Sequence, residues 1–239
     1  MSFQIKRCGQ MLFAPTKTII MKLLFIHGFV EDHTIFNEVR KTITQGEQIA
    51  IDLEKVLADW HDAPEDLDVQ KMASYLVKKY EIMAQDCVIG HSMGGWIASY
   101  MKEECGCKAI LLASLTDQKK LITPLTNPTL IKYLIKFGIF QSSFMESFLK
   151  KDYKFQESKQ LFDGLISGLI KLDKKILYQQ FQILFAKVKP LTIKPELRVH
   201  ARKDNIVCFP DEQFVEVSGD HFSLIYHSEQ VVRAIQTVL

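Results

Sequence analysis

The sequence carries no excess of charge of either sign. Its 30 Lys and Arg stand against 28 Asp and Glu, a formal net charge of +2. So even a balance leaves no global footprint for nucleic acid. No apolar run approaches the roughly 18 residues of a membrane span. The N-terminal stretch has Lys6, Arg7 and Lys17 but no continuous apolar segment and no cleavage signature, so nothing in it reads as a secretory signal. Cysteine is scarce, odd in number and scattered: Cys8, Cys87, Cys105, Cys107 and Cys208. That is no disulfide framework, and Cys105-Gly106-Cys107 has neither zinc-ligand spacing nor a second pair. A reduced, cytoplasmic protein is the simplest expectation. No cluster of His, Cys and carboxylates points to a metal, and there is no phosphate loop, so no cofactor is expected.

What the chain does have is length and apolar content. Its 239 residues, 47% of them apolar, suit one α/β domain with an inserted subdomain. The organising stretch is Asp86 to Ala98. Cys87 to Ile89 is a short apolar run of the kind a buried strand shows, and Gly95 to Met101 reads as a helix. Between them stands Gly90-x-Ser92-x-Gly94. A strand that turns this sharply into a helix needs flanking residues almost without side chains, which the glycines supply. The turn would hold the Ser92 hydroxyl at a helix N-terminus, where the backbone N–H of Met93 is free to bind an oxyanion. The same pattern is also consistent with a glycine-rich turn carrying an idle Ser.

The rest of the chain alternates strand and helix. Ile19 to Ile26 is a continuous apolar run broken only by Lys22, as in a strand buried on both faces, and it ends in His27-Gly28-Phe29. His33 to Ile43 reads as a helix, Gln48 to Leu53 as a strand, Val69 to Tyr80 as a helix and Lys108 to Ala113 as a strand. The alternation predicts a mostly parallel, doubly wound sheet. Residues 3 to 14 suit a small hairpin at the sheet edge; the competing reading takes Met21 as the natural start. From Thr116 to Pro190 the pattern becomes helical. Thirteen Lys and no Arg face six acids there, and eight of the 16 Phe fall in the segment. The Lys excess is either a docking surface or an ordinary solvated face. Strand patterns resume at Leu197 to Ala201, followed by Asp204, and at Phe214 to Val217, followed by His221. Ser228 to Leu239 closes as a helix.

These features together resemble the α/β-hydrolase fold family. Its nucleophile elbow matches Gly90 to Gly94, and its order of Ser, acid and His matches Ser92, Asp204 and His221, each just after a predicted strand end. A serine hydroxyl needs a base, and the base needs a carboxylate to fix its tautomer. The resemblance implies a second oxyanion donor, the backbone N–H of Phe29. It also implies a core of residues 1–115 and 191–239, with 116–190 as a helical lid inserted after the sixth strand. The Pro-Gly-x-Gly loop that many members carry after Asp52 is missing, since Glu54-Lys55-Val56 follows. Rivals for each role exist. His91 reads as a packing or substrate-side residue, His200 as core or edge, His227 as too far from the strand end, and His33 and His61 as surface. Asp211 and Asp220 are alternative acids, but Asp204 is better placed.

The finer resemblance is to the small bacterial esterases that hydrolyse pimeloyl-acyl-carrier-protein methyl ester in biotin synthesis. It rests on His27-Gly28-Phe29, the elbow, Asp204 before Ile206-Val207, and His221-Phe222 with His227-Ser228-Glu229. It implies an acidic carrier protein docked on the lid, with Lys132, Lys136, Lys150, Lys151 and Lys154 as contacts. The same triad also serves general short-chain or lipid esterases, thioesterases and acyltransferases, and the fold also carries cofactor-free lyases, C–C hydrolases and non-catalytic binding proteins. Oligomeric state is not readable from the chain.

Overall fold

The structure, a computed structural model, describes residues 20–123, 126–151 and 153–239. The hairpin expected within residues 3–14 lies outside them.

The strands form where apolar runs demand burial on both sides. β1 (Lys22–Ile26), β3 (Cys87–His91) and β4 (Lys108–Leu112) are buried almost throughout. With β2 (Glu47–Ile51), β5 (Leu197–His200) and β6 (Val215–Glu216) they make one six-stranded sheet in the order β2-β1-β3-β4-β5-β6. Every pairing in it is parallel, with Leu24 opposite Val88 and Val88 opposite Ala109. Lys22, the single charge in β1, escapes burial at the strand start, where its Nζ donates to the Tyr80 carbonyl at 2.8 Å.

Helices cover both faces. One face packs Leu24, Ile26, Val88 and Leu111 against α2 (Leu53–Asp59), α3 (Val69–Lys79) and α4 (Met93–Cys105). The other packs Leu23, Phe25, Ile89 and Ile110 against α1 (Asn37–Thr42), α9 (Ser223–Tyr226) and α10 (Ser228–Gln236). Each Leu or Ile so buried contributes about 1.5–3 kcal/mol, which keeps the central strands rigid beneath whatever their C-terminal ends carry.

Between β4 and β5 run α5 (Pro128–Lys136), α6 (Ser143–Lys151), α7 (Lys159–Lys171) and α8 (Lys174–Phe185). Ile131 and Ile135 of α5 meet Leu177 and Phe181 of α8 in a small core of their own. α8 is also bound to the main body. Ile176, Ile183 and Leu184 join the core beneath it, and the Ile183 carbonyl accepts from Trp96 Nε1 at 3.1 Å. Among the described residues four strands, β1 to β4, precede this insertion, where the sequence reading expected six.

Local differences from the sequence reading have simple causes. Residues 54–56 are helical, because Asp52 accepts from the Lys55 N–H at 3.0 Å and caps α2. The expected helix over 33–43 is a short 3-10 turn, His33–Phe36, followed by α1. The last strand pairs over two residues instead of Phe214–Val217.

Candidate active site

The elbow is as tight as its glycines suggest. Ser92 sits at φ 52°, ψ −120°, a conformation that costs a non-glycine residue of order 1–3 kcal/mol and persists only where the surroundings enforce it. Those surroundings are close backbone. A Cβ on Gly90 would lie 2.3 Å from the Gly94 carbonyl carbon, and one on Gly94 would lie 1.9 Å from the Ile26 carbonyl oxygen. Met93 opens α4, so its N–H has no helical carbonyl to bind. Among the described residues the Phe29 N–H likewise has no acceptor.

His221 comes to the site on the loop after β6. Its Nδ1 lies 2.8 Å from Asp204 Oδ2. A carboxylate at Nδ1 fixes the proton there and leaves the Nε2 lone pair free. Asp204 is itself anchored, accepting from the N–H groups of Ile206 and Val207 at 2.8 and 2.9 Å. Burial opposes its charge, but His221 and His200 beside it hold the carboxyl well below the usual carboxylate range. His200 had read as core or edge from sequence. It is buried, and its Nε2 stands 3.2 Å from Asp204 Oδ2 and 3.1 Å from the Val207 carbonyl.

The rival groups are occupied elsewhere. Asp220 accepts from Ser158, from Tyr153 Oη at 3.1 Å and from the Phe222 N–H at 2.9 Å. Asp211 pairs with Lys120 at 2.6 Å on the surface. His227 contacts Glu157. His61 is exposed and His33 half-buried.

Ser92, His221, Phe29 and Glu31 share the walls of one cavity of about 240 Å³. Apart from Thr123 the rest of its lining is apolar, including Phe140, Phe162, Leu165 and Phe181 from the insertion. The loop after β1 contributes Phe29, Val30 and Glu31 to the lining. There Val30 is held at φ 52°, and its N–H donates to Gln180 Oε1 of α8 at 2.9 Å. Of the sequence-predicted lid contacts, Lys132, Lys136, Lys151 and Lys154 are exposed. Lys150 is bound to Glu146 at 2.6 Å and to Ser167 at 2.7 Å.

The structure also assembles a group invisible in the sequence. Donor atoms of Glu31, His91 and His221 all lie within 4.8 Å of one another. Glu31 and His91 are already engaged with protein partners: Glu31 Oε2 lies 2.8 Å from His91 Nδ1, and His91 Nε2 lies 2.9 Å from the His221 backbone carbonyl. That makes the set a hydrogen-bonded chain, with both His91 nitrogens committed.

No protein-family model matches the sequence, and no curated protein does. The fold is that of the α/β-hydrolases, which solved structures share over nearly the whole chain. A hydrolase from Oleispira antarctica aligns with a TM-score of 0.69 at 12% identity, over 91% of this chain and 90% of its own. The enol-lactonase from Burkholderia xenovorans LB400 gives 0.63 at 10%, over 92% and 91%. A thermophilic esterase from Thermogutta terrifontis gives 0.61 at 14%, over 91% and 88%.

Proposed function

We propose that the protein is a serine carboxylic-ester hydrolase. The observation that carries this reading is the convergence of the Asp204–His221 pair and the strained Ser92 on one apolar cavity, beside the uncommitted N–H groups of Met93 and Phe29. In this reading His221 Nε2 takes the Ser92 proton as the hydroxyl oxygen attacks the ester carbonyl. The two N–H groups receive the developing oxyanion, each worth about 10²–10³ in rate. His221 then returns the proton to the leaving alcohol, and water repeats the sequence on the acyl-enzyme. Hydrolases, an esterase and an enol-lactonase among the structural neighbours agree with this chemistry.

The apolar lining favours an alkyl acyl chain. The finer reading is the methyl ester of pimeloyl-acyl-carrier protein. It is supported by the exposed Lys132, Lys136, Lys151 and Lys154, which suit an acidic carrier, and by Phe137 and Phe144 exposed on the same helical insertion. Residues 116–190 act as the lid in this reading. Among the described residues the thiols of Cys87, Cys105, Cys107 and Cys208 are free, which is consistent with a cytoplasmic enzyme; no helix among those residues is long and apolar enough to cross a membrane.

The test is hydrolysis of that carrier-bound methyl ester and of p-nitrophenyl esters, wild type beside Ser92→Ala. Demethylation lost in the variant is the expected result. Cleavage of p-nitrophenyl esters alone would keep the serine esterase and discard the carrier. Inactivity on both would turn attention to lyase, C–C hydrolase or binding functions of the fold.

A further inference from the structure

We infer that Glu31 and His91 are a buried charged pair that positions the oxyanion loop and the His221 loop against the Ser92 elbow. The inference rests on the esterase reading above for its kinetic consequence, but not for its chemistry.

The chain of contacts spans three segments. The Gly28 N–H, in the loop after β1, donates to Glu31 Oε2 at 2.5 Å. The same oxygen lies 2.8 Å from His91 Nδ1 in the elbow. His91 Nε2 lies 2.9 Å from the backbone carbonyl of His221. Both side chains are buried. The His221 carbonyl can only accept, and the Glu31 oxygen already takes the Gly28 N–H; opposite an ionised Glu31 both His91 nitrogens carry a proton and the ring is an imidazolium. His27, nearby, shows the contrast. Its Nδ1 faces the Gly28 carbonyl at 2.9 Å, while its Nε2 accepts from the Leu53 N–H at 2.9 Å. One donor and one acceptor make a neutral ring, and burial lowers its affinity for a second proton.

Burial works against the His91 charge as well, yet the Glu31 carboxylate outweighs it and the imidazole is pushed up from its ordinary value. Of the titratable groups around the pair, Asp204 faces His91, beside the His221 backbone carbonyl, and His221 and His27 face Glu31.

The pairing matters because of where the carboxylate sits. A Cβ on Gly28 would lie 2.6 Å from Glu31 Oε2 and 2.8 Å from Ser92 Cβ. The Glu31 carboxylate is therefore beside the nucleophile and within 4.8 Å of a His221 nitrogen. Alone, it would repel an oxyanion forming at Phe29 and Met93. The imidazolium cancels that charge and ties the loop that bears it to both neighbouring segments. Glu31 and His91 are positioning residues, not groups that touch the reacting atoms.

Two measurements test this. The first uses the wild-type protein alone: ¹⁵N NMR of its histidine rings at about pH 8, above the ordinary histidine range near 6.5. Both His91 nitrogens should be protonated there, and one His27 nitrogen. A neutral His91 ring at that pH would overturn the proposal whatever the protein's activity.

The second is a double-mutant cycle in kcat and KM on p-nitrophenyl esters, corrected for folded fraction. Glu31→Gln should lower kcat about tenfold or more with KM little changed, and should bring the alkaline fall of kcat/KM to lower pH. The sign follows from the raised imidazole: its interaction with Glu31 is complete below its ordinary value and is lost as pH rises through the higher one. His91→Gln, which strands the carboxylate, should be slower still. The double variant should recover part of that loss. Additive effects, or a Glu31→Gln enzyme with wild-type kcat and pH profile, would reject the pair as a positioning device. If Ser92 proved not to be a nucleophile while His91 was doubly protonated, the esterase reading would fail and the charged pair would stand.

Discussion

At the scale of single residues, Asp204 is the side chain on which the proposed chemistry turns. It spends one oxygen on two backbone N–H groups and the other on His221 and His200, so replacing it tests geometry and charge separately. Asp204→Asn keeps the shape but offers an amide that can donate to His221 Nδ1, which favours the wrong tautomer. A fall in kcat of about 10⁴ is expected. Its stability consequence has a definite sign. The carboxyl is held low in the folded protein, so its contribution is complete above the ordinary Asp range and is lost as pH falls through about 4 and below. In thermal unfolding, the wild-type advantage over Asp204→Asn should be constant above about pH 5 and close in acid. An advantage that grew in acid would contradict the pairing. Ser92, Asp204 and His221 were singled out in the sequence by the elbow motif, their order and their strand-end placement, through the resemblance to the α/β-hydrolases. Glu31 and His200 were not. Glu31 lies 60 positions from His91, and nothing local distinguishes it from a solvated acid two residues after Phe29.

At the scale of elements, the parallel strands were legible because burial on both faces writes a continuous apolar run, and the elbow because close backbone approach demands glycine. The role of α8 was not legible. Its sequence reads as one more amphipathic helix of the insertion, yet Trp96 and Gln118 both donate to its C-terminal carbonyls, and Gln180 reaches Val30. Those are long-range pairings that no period reveals. α8 is therefore a fixed wall of the cavity and part of what holds the loop after β1. Gln180→Leu would release Val30 from its left-handed conformation and loosen the Phe29 N–H beside it. A drop in kcat of about ten- to a hundredfold is expected, with thermal stability lowered by much less than a core cavity would cost. Unchanged kcat would show that the loop holds its shape without α8.

At the scale of the whole molecule, charge is the feature with a consequence of its own. The near-neutral total hides an insertion with 13 Lys against six acids, and Lys132 and Lys136 are exposed on α5. Charge reversal of both should weaken kcat/KM on a carrier-bound ester, more strongly at low salt, and leave small p-nitrophenyl esters untouched. Equal effects on both substrates would point to a disturbed insertion instead of a lost partner. Fold class was legible at this scale from strand–helix alternation, whereas the way the insertion lines the cavity depends on pairings such as Phe140 with Phe181 and Phe162 with Tyr153 that composition does not order. The most direct measurement is mass spectrometry of the intact protein after exposure to a fluorophosphonate. A single adduct mapping to Ser92, absent in Ser92→Ala and strongly slowed in His221→Ala, is expected of a serine hydrolase with this arrangement. No adduct, or one that persists in Ser92→Ala, would contradict the assignment of Ser92 as the nucleophile.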